Sequence, residues 1–286
     1  MSENDGDMQR EIGEFRRNPL GFVRYAFPWG QAGTALAHEA GPEPWQCEVL
    51  EQLGQGLMSP EEATRLAVAS GHGIGKSALV AWIILWAMST VEDTRGVVTA
   101  NTEGQLRTKT WPELAKWHRL AINRRWFSYT ATALFSSWPG RGRVWRVDAI
   151  TWSENNTEAI AGLHNKGRRA FAIFYEASSI PDAIWETIEG ALTDRDTEPG
   201  RLLGRHQPLP QLLQHLALPR LRTGFVGQRR AGLPPGEGVA NEAQRIAAEL
   251  ADGPLEVAVV LTHDRRRRRR PWSRPGAPAR RRPRAR

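Results

Sequence analysis

Eight residues in the first third of the chain combine glycine, lysine and serine in a pattern suited to binding phosphate. They read Ser70-Gly71-His72-Gly73-Ile74-Gly75-Lys76-Ser77 and stand between two apolar runs, which predicts a strand, a loop and a helix. The backbone N–H groups of such a loop, with the positive end of the helix behind them, form an anion site. We expect Lys76 to contact the β- and γ-phosphates of a nucleotide and the Ser77 hydroxyl to bind a bridging Mg²⁺.

The first position of this pattern departs from the usual one, because Ser70 stands where glycine is normal. The alternative interpretation is that a glycine-rich turn simply caps a core helix. We favour the phosphate site because Gly75, Lys76 and Ser77 satisfy several independent requirements of it at once.

A second group of candidate residues follows an apolar run of buried-strand length, residues 170–174. The run leads directly into Tyr175-Glu176-Ala177-Ser178. A carboxylate at the tip of a buried strand, after a phosphate loop, is typical of the Walker B motif of P-loop NTPases. We expect Glu176 to orient and activate the water that attacks the γ-phosphate. The alternative is an acidic residue that stabilises the N-terminus of the next helix.

Trp45 and Gln46 lie upstream of the loop, at the start of an apolar pattern with helical spacing. The indole ring could stack on an adenine while the amide pairs with the edge of the base. Alternatively, Trp45 anchors the core and Gln46 begins the helix. These two residues alone do not decide between the interpretations.

Strands and helices alternate around these motifs. We expect a strand over residues 96–101, an amphipathic helix over 105–120, strand pieces within 126–152 such as 144–147, and a helix over 181–189. The helix over 105–120 should bury Leu106, Trp111, Leu114 and Trp117. Alternation of this kind predicts an α/β fold with a mainly parallel central sheet and functional loops at the carboxyl ends of its strands.

The remaining composition excludes several classes of protein. The single cysteine, Cys47, rules out a disulfide framework and is expected to be a small buried hydrophobe. The apolar stretch 78–88 is shorter than the ~20 residues of a membrane span, so it predicts a helix buried on most sides. Residues 1–17 alternate in charge as a solvated helix or arm does, and the aromatic stretch 18–30 is expected to pack onto the main domain.

With both motifs placed, residues 18–197 resemble the N-terminal ATPase domain of the large subunit of tailed-phage terminases, the motors that pump DNA into procapsids. The residues that carry the resemblance are Phe27-Pro28-Trp29-Gly30, Trp45-Gln46, the loop from Ser70 to Ser77, Trp111-Pro112-Glu113-Leu114, Ala161-Gly162-Leu163-His164 and Glu176-Ala177-Ser178. Each of these motifs is weak alone, but as a set they are specific.

The resemblance implies a three-layer P-loop fold in residues 40–197, preceded by an N-terminal arm in residues 1–39. It implies ATP and Mg²⁺ as cofactors, adenine contact near Gln46, phosphate contact at residues 71–77 and catalysis by Glu176. It also implies double-stranded DNA, the portal ring and the small terminase subunit as partners. A ring oligomer on the procapsid, in the host bacterial cytoplasm and without membrane contact, is expected.

Two departures from the family pattern matter. The family normally has aspartate immediately before the catalytic glutamate, to hold Mg²⁺ through water, and Tyr175 stands there instead. A phenol is neutral at pH 7, so we expect weaker hydrolysis than in relatives. The second departure is that residues 199–286 show neither the coupling motif nor the acidic residues of the RNase H-like nuclease domain.

Residues 198–286 have a composition of their own. Residues 201–286 hold 19 arginines, no lysine and 6 acidic residues, whereas residues 1–200 hold 20 basic and 25 acidic residues. We therefore expect a largely disordered, low-complexity Arg/Pro/Ala-rich tail. One hypothesis is a frameshift near codon 198, since residues 205–211, shifted forward by one base, can encode an Asn-Pro-x-Arg segment like that of terminases. The alternatives are a basic arm that binds DNA phosphates and a disordered segment without a role.

The function that these observations favour is ATP hydrolysis that drives DNA packaging, in a chain that lacks the nuclease domain. The alternative is a nucleotide-binding or nucleic-acid-binding remnant without motor activity. A helicase-like ATPase would share the loop but is expected to carry a second motor domain, and no motif for one is present.

Overall fold

The computed structural model describes residues 3–58, 64–69, 74–100, 102–151, 169–175 and 255–261. The helices are α1 (Glu3–Glu14), α2 (Pro19–Ala26), α3 (Pro44–Gly56), α4 (Lys76–Thr90), α5 (Glu103–Gln105) and α6 (Trp111–Leu120). The strands are β1 (Thr64–Ala69), β2 (Arg95–Ala100), β3 (Phe127–Tyr129), β4 (Ala133–Ser136), β5 (Arg146–Thr151), β6 (Ala170–Tyr175) and β7 (Leu255–Leu261).

The strands form one sheet in the order β1-β7-β6-β2-β5-β4-β3. Strand β2 pairs in parallel with β5 and with β6, and β7 pairs antiparallel with both β1 and β6. Consequently β1, β6, β2 and β5 run in the same direction and end at the same edge of the sheet. The predicted α/β class, with a mainly parallel central sheet, is confirmed.

Helix α4 is the buried centre of the helical part. Its residues from Leu79 to Thr90 are all buried, as the sequence predicts for the apolar stretch 78–88. The Trp86 indole donates to the Phe15 carbonyl at 2.8 Å, and the Trp145 indole donates to the Met88 carbonyl at 3.0 Å. Buried indole N–H groups need acceptors, so these hydrogen bonds fix α4 against both the N-terminal segment and the sheet.

The aromatic stretch 18–30 packs onto α4 and α6, as predicted. Trp29 lies 5.7 Å from Trp82 and 5.5 Å from Trp117 between ring centroids, and Phe27 lies 5.0 Å from Trp117. Most of these rings meet edge to face, the arrangement that aromatic quadrupoles favour. In α1, which the sequence predicts as a solvated helix or arm, Ile12 is fully buried against the same core.

Two predicted elements differ in detail from the structure. The predicted helix over 105–120 contains a π-helical turn, Leu106–Thr110, before α6, although its four expected apolar residues are buried. Pro112 has no N–H to offer the Thr108 carbonyl, and its ring crowds that group, which accounts for the wider turn. Strand β5 begins at Arg146, and Val144 lies half-exposed in the preceding turn.

Strand β7 lies within the segment that the sequence predicts as a tail. It lies between β1 and β6, where Val259 is opposite Leu66 on one side and Ile173 on the other. Val259 is 1% exposed. The other residues of 198–286, and the predicted helix over 181–189, lie outside the described residues. None of the helices in the described ranges has both the length and the apolar character needed to cross a membrane.

Candidate functional site

The candidate site lies at the edge of the sheet where the co-directional strands end, and it begins with the junction between β1 and α4. Gly75 caps the N-terminus of α4 with a φ of +95°, a conformation in which a side chain is strained. The first N–H groups of α4 have no acceptor within the helix, so they are available to an anion bound at the helix N-terminus. Residues Ser70, Gly71, His72 and Gly73 lie outside the described residues.

Lys76 and Ser77, the first two residues of α4, follow the capping glycine. The side chain of Lys76 is buried, and that of Ser77 is partly buried. Ile74 is exposed beside them. Both polar residues therefore belong to the first turn of α4, the turn at which the sequence predicts phosphate contact.

Strand β6 brings the second predicted motif to this helix turn. Tyr175 is the last residue of β6, and its phenol oxygen lies 3.1 Å from the Ser77 hydroxyl oxygen, within hydrogen-bonding distance. Tyr175 is also level with Ala100, the last residue of β2. The two motifs, far apart in sequence, are therefore in direct contact at one edge of the sheet.

Gln46 is tied to the same loop from the side of α3. Its Oε1 accepts from the Glu43 backbone N–H at 2.9 Å, and its Nε2 donates to the Gly75 carbonyl at 3.1 Å. The side chain is 3% exposed, whereas Trp45 is half-buried against the core. These hydrogen bonds favour the interpretation of Gln46 as a helix-start residue, and adenine contact by Trp45 and Gln46 stays a prediction.

The predicted catalytic Glu176 follows Tyr175 immediately but lies outside the described residues, as does His164. In the part of the chain that the structure describes, there is no group of three or more histidine, cysteine, aspartate or glutamate residues that could hold a metal ion. The described donors for Mg²⁺ at this edge are uncharged hydroxyl groups, Ser77 and Tyr175. Such a set fits the ion poorly without the phosphates of a nucleotide, because Mg²⁺ is usually bound through one or two carboxylates in addition to phosphate.

The chain is similar to a phage terminase large subunit. Over 189 residues it is 28% identical to the probable terminase, large subunit, of Enterobacteria phage P7, a match that covers 64% of this chain. It spans 35% of the length of that relative. No protein-family model matches the sequence. The similarity supports the terminase resemblance.

Sequence reasoning did not identify the two contacts that join this site. The sequence shows that Tyr175 departs from the family pattern. Its contact partner Ser77 is 98 residues away, so the sequence does not indicate the contact. The signal for Gln46 was its position three residues after Glu43, which is the spacing of a capping box. That spacing predicts the Glu43 hydrogen bond, but it gives no indication of the bond to Gly75.

Proposed function

We propose that residues 40–197 form the ATP-hydrolysing domain of a DNA-packaging motor related to terminase large subunits. The observation that carries this proposal is the contact between the first turn of α4 and the end of β6, at Ser77 and Tyr175. For ATP hydrolysis, the helix N-terminus that binds the phosphates must lie close to the strand end that carries the water-activating carboxylate. The similarity to a phage terminase supports the same function.

In this proposal each residue has a defined role. The backbone of residues 70–75 would bind the phosphates, Lys76 would neutralise the charge of the β- and γ-phosphates, and the Ser77 hydroxyl would hold the Mg²⁺ that accompanies ATP. Glu176 positions the attacking water, and Trp45 lies beside the adenine. Double-stranded DNA, the portal ring and the small subunit are the proposed partners, in a ring on the procapsid.

The test is phosphate release by the purified full chain, with and without double-stranded DNA. We expect the unmodified chain to hydrolyse ATP and Lys76→Ala to do so at least ~100-fold more slowly. The variant loses a buried cation that stabilises the negative charge of the phosphoryl group being transferred. Lys109→Ala is the matched control, since Lys109 is exposed on the π turn before α6. Equal turnover in the two variants would contradict the proposed role of Lys76.

A nucleotide-binding protein without motor activity is the second candidate, and Tyr175 is the observation that favours it. In that case ATP binds but phosphate release stays at background with DNA present. The hypothesis of a frameshift near codon 198 belongs to this candidate as well. Resequencing the gene and translating all frames tests it, because the hypothesis requires an Asn-Pro-x-Arg motif in a shifted frame.

A further inference from the structure

Tyr175 contacts Ser77 with an uncharged phenol at the position where the family pattern has an aspartate carboxylate. Its phenol oxygen lies 3.1 Å from the Ser77 hydroxyl oxygen, and either group can donate. The Tyr175 side chain is 7% exposed, so little water competes for this hydrogen bond. The contact therefore fixes the Ser77 hydroxyl at the start of α4 by a neutral interaction.

Because this partner of Ser77 is uncharged, it adds no electrostatic attraction for a divalent cation. Mg²⁺ binds best where carboxylates supplement the oxygens of phosphate and hydroxyl groups, and a phenol supplies no negative charge at pH 7. Within the described ranges, no group of three or more acidic, histidine or cysteine residues could hold a metal ion. By contrast, the anion-binding groups, which are the helix N-terminus behind Gly75 and the Lys76 ammonium, act on phosphate directly and need no metal.

We propose that Tyr175 is a positioning residue whose hydrogen bond holds Ser77 and whose uncharged side chain leaves the binding of nucleoside triphosphate at this site largely independent of Mg²⁺. The inference rests on the proposed function, because it takes the residues around Ser77 as the triphosphate site. It adds a property of this chain that the terminase resemblance does not imply.

The binding test uses the full-length protein and a non-hydrolysable β,γ-imido analogue of ATP, titrated by calorimetry with excess Mg²⁺ or with EDTA. We expect the two dissociation constants of the unmodified chain to agree within about threefold, and those of Tyr175→Phe to agree equally well. Tyr175→Asp restores a negative charge, which repels the metal-free triphosphate and attracts the cation. Its ratio of dissociation constants should rise to about tenfold or more, the ratio that corresponds to ~1.4 kcal/mol.

A double-mutant cycle tests the hydrogen bond without any nucleotide. Ser77→Ala and Tyr175→Phe should each lower the midpoint of thermal unfolding by about 2–4 °C, and the double variant should fall no further than either alone. Tyr129→Phe is the matched control, because it removes a phenol that donates to the Trp111 carbonyl from a position on β3, four strands away from β6 in the sheet. It should lower the midpoint similarly, add fully to Ser77→Ala and leave the Mg²⁺ ratio unchanged.

The possible failures are distinguishable. Binding that is tenfold or more tighter with Mg²⁺ in the unmodified chain overturns the inference and leaves the proposed nucleotide site standing. Fully additive effects of Ser77→Ala and Tyr175→Phe overturn the positioning role in the same way. Absence of binding in both conditions, by a chain that unfolds cooperatively, overturns the inference and the proposed function together.

Discussion

The Gln46 amide nitrogen donates to the Gly75 carbonyl at 3.1 Å, which joins the start of α3 to the residue that caps α4. The oxygen of the same amide accepts from the Glu43 N–H. A single buried side chain therefore holds two chain segments in one geometry. Because Gly75 has a positive φ, its carbonyl direction is specific to this turn, and Gln46 stabilises that direction.

Replacing Gln46 by leucine should destabilise the chain and weaken nucleotide binding without changing base preference. Loss of both hydrogen bonds should cost about 1–3 kcal/mol in total, at about 0.5–1.5 kcal/mol for each bond. Thermal unfolding measures the first effect, and titration with ATP and GTP measures the second. We expect both affinities to fall by the same factor, since Gln46 acts through Gly75. Gln55→Leu, at an exposed position of α3, is the control, and a loss confined to ATP would instead support adenine contact.

Restoring an acidic residue at Tyr175 should accelerate hydrolysis. In Tyr175→Asp a carboxylate stands at the end of β6, opposite Ser77, where it can hold Mg²⁺ through water. We expect ATP turnover to rise by about tenfold or more, equivalent to ~1.4 kcal/mol of the barrier. Tyr175→Asn is the matched control, with similar size and no charge. An unchanged rate in Tyr175→Asp would refute the view that this tyrosine limits catalysis.

Much of the fold and part of the site follow from sequence pattern, for identifiable physical reasons. Buried parallel strands are continuous apolar runs, so β2 and β6 were predictable, as was the uniformly apolar α4. Strand β7 was not, because its short apolar run is surrounded by arginine, proline and alanine. The contact of Ser77 with Tyr175 could not be predicted either. It depends on how α4 and β6 approach each other in three dimensions, and local spacing carries no information about that.

The partly buried His118 should make stability depend on pH. Burial lowers its pKa below the ordinary value of 6.5, while hydrogen bonds to the Arg124 and Phe127 carbonyls, at 2.9 and 3.1 Å, oppose the shift. The unfolded chain then binds the proton more readily, so the contribution of His118 is complete above pH 6.5 and is lost as pH falls through the lowered pKa.

The measurement is the midpoint of thermal unfolding from about pH 8 to pH 5. His118→Gln should lose less stability over this range than the unmodified chain, because its amide can still donate to a carbonyl and does not titrate. His38→Gln, at an exposed position, is the control and should leave the pH dependence unchanged. Identical pH profiles for all three proteins would exclude His118 as a source of acid sensitivity.

Arg169 precedes β6 and is fully buried at the far end of α4. Its guanidinium lies 4.3 Å from the Trp86 ring centroid and donates to Thr90 Oγ1 and to the Arg16 carbonyl, both at 2.7 Å. Burial, with a smaller effect of Arg16, lowers its pKa to about 9. A buried cation of this kind stabilises the fold only while its planar guanidinium group donates to both acceptors.

We therefore expect Arg169→Lys to be less stable than Arg169→Met. The lysine keeps the buried charge but reaches at most one acceptor, whereas the methionine removes the charge and fills much of the space. The methionine variant should lie within about 1 kcal/mol of the unmodified chain, since Thr90 Oγ1 still has the Trp86 carbonyl as its acceptor. Chemical denaturation measures both differences, and the reverse order of stability would show that the charge itself is stabilising.

The position of β7 between β1 and β6 makes residues 255–261 part of the folded core. Val259→Asp should therefore unfold the chain or lower its free energy of unfolding by several kcal/mol, because an isolated carboxylate cannot be solvated between two strands. Val144→Asp is the matched control, since Val144 is 50% exposed and should tolerate the change.

Circular dichroism and thermal unfolding of the full chain compare these two variants. Equal stability of Val259→Asp and Val144→Asp would mean that β7 is dispensable, as the hypothesis of an unselected, frame-shifted tail requires. A large loss confined to Val259→Asp would mean that at least this part of residues 198–286 is needed to hold the strands that carry Ala69 and Tyr175.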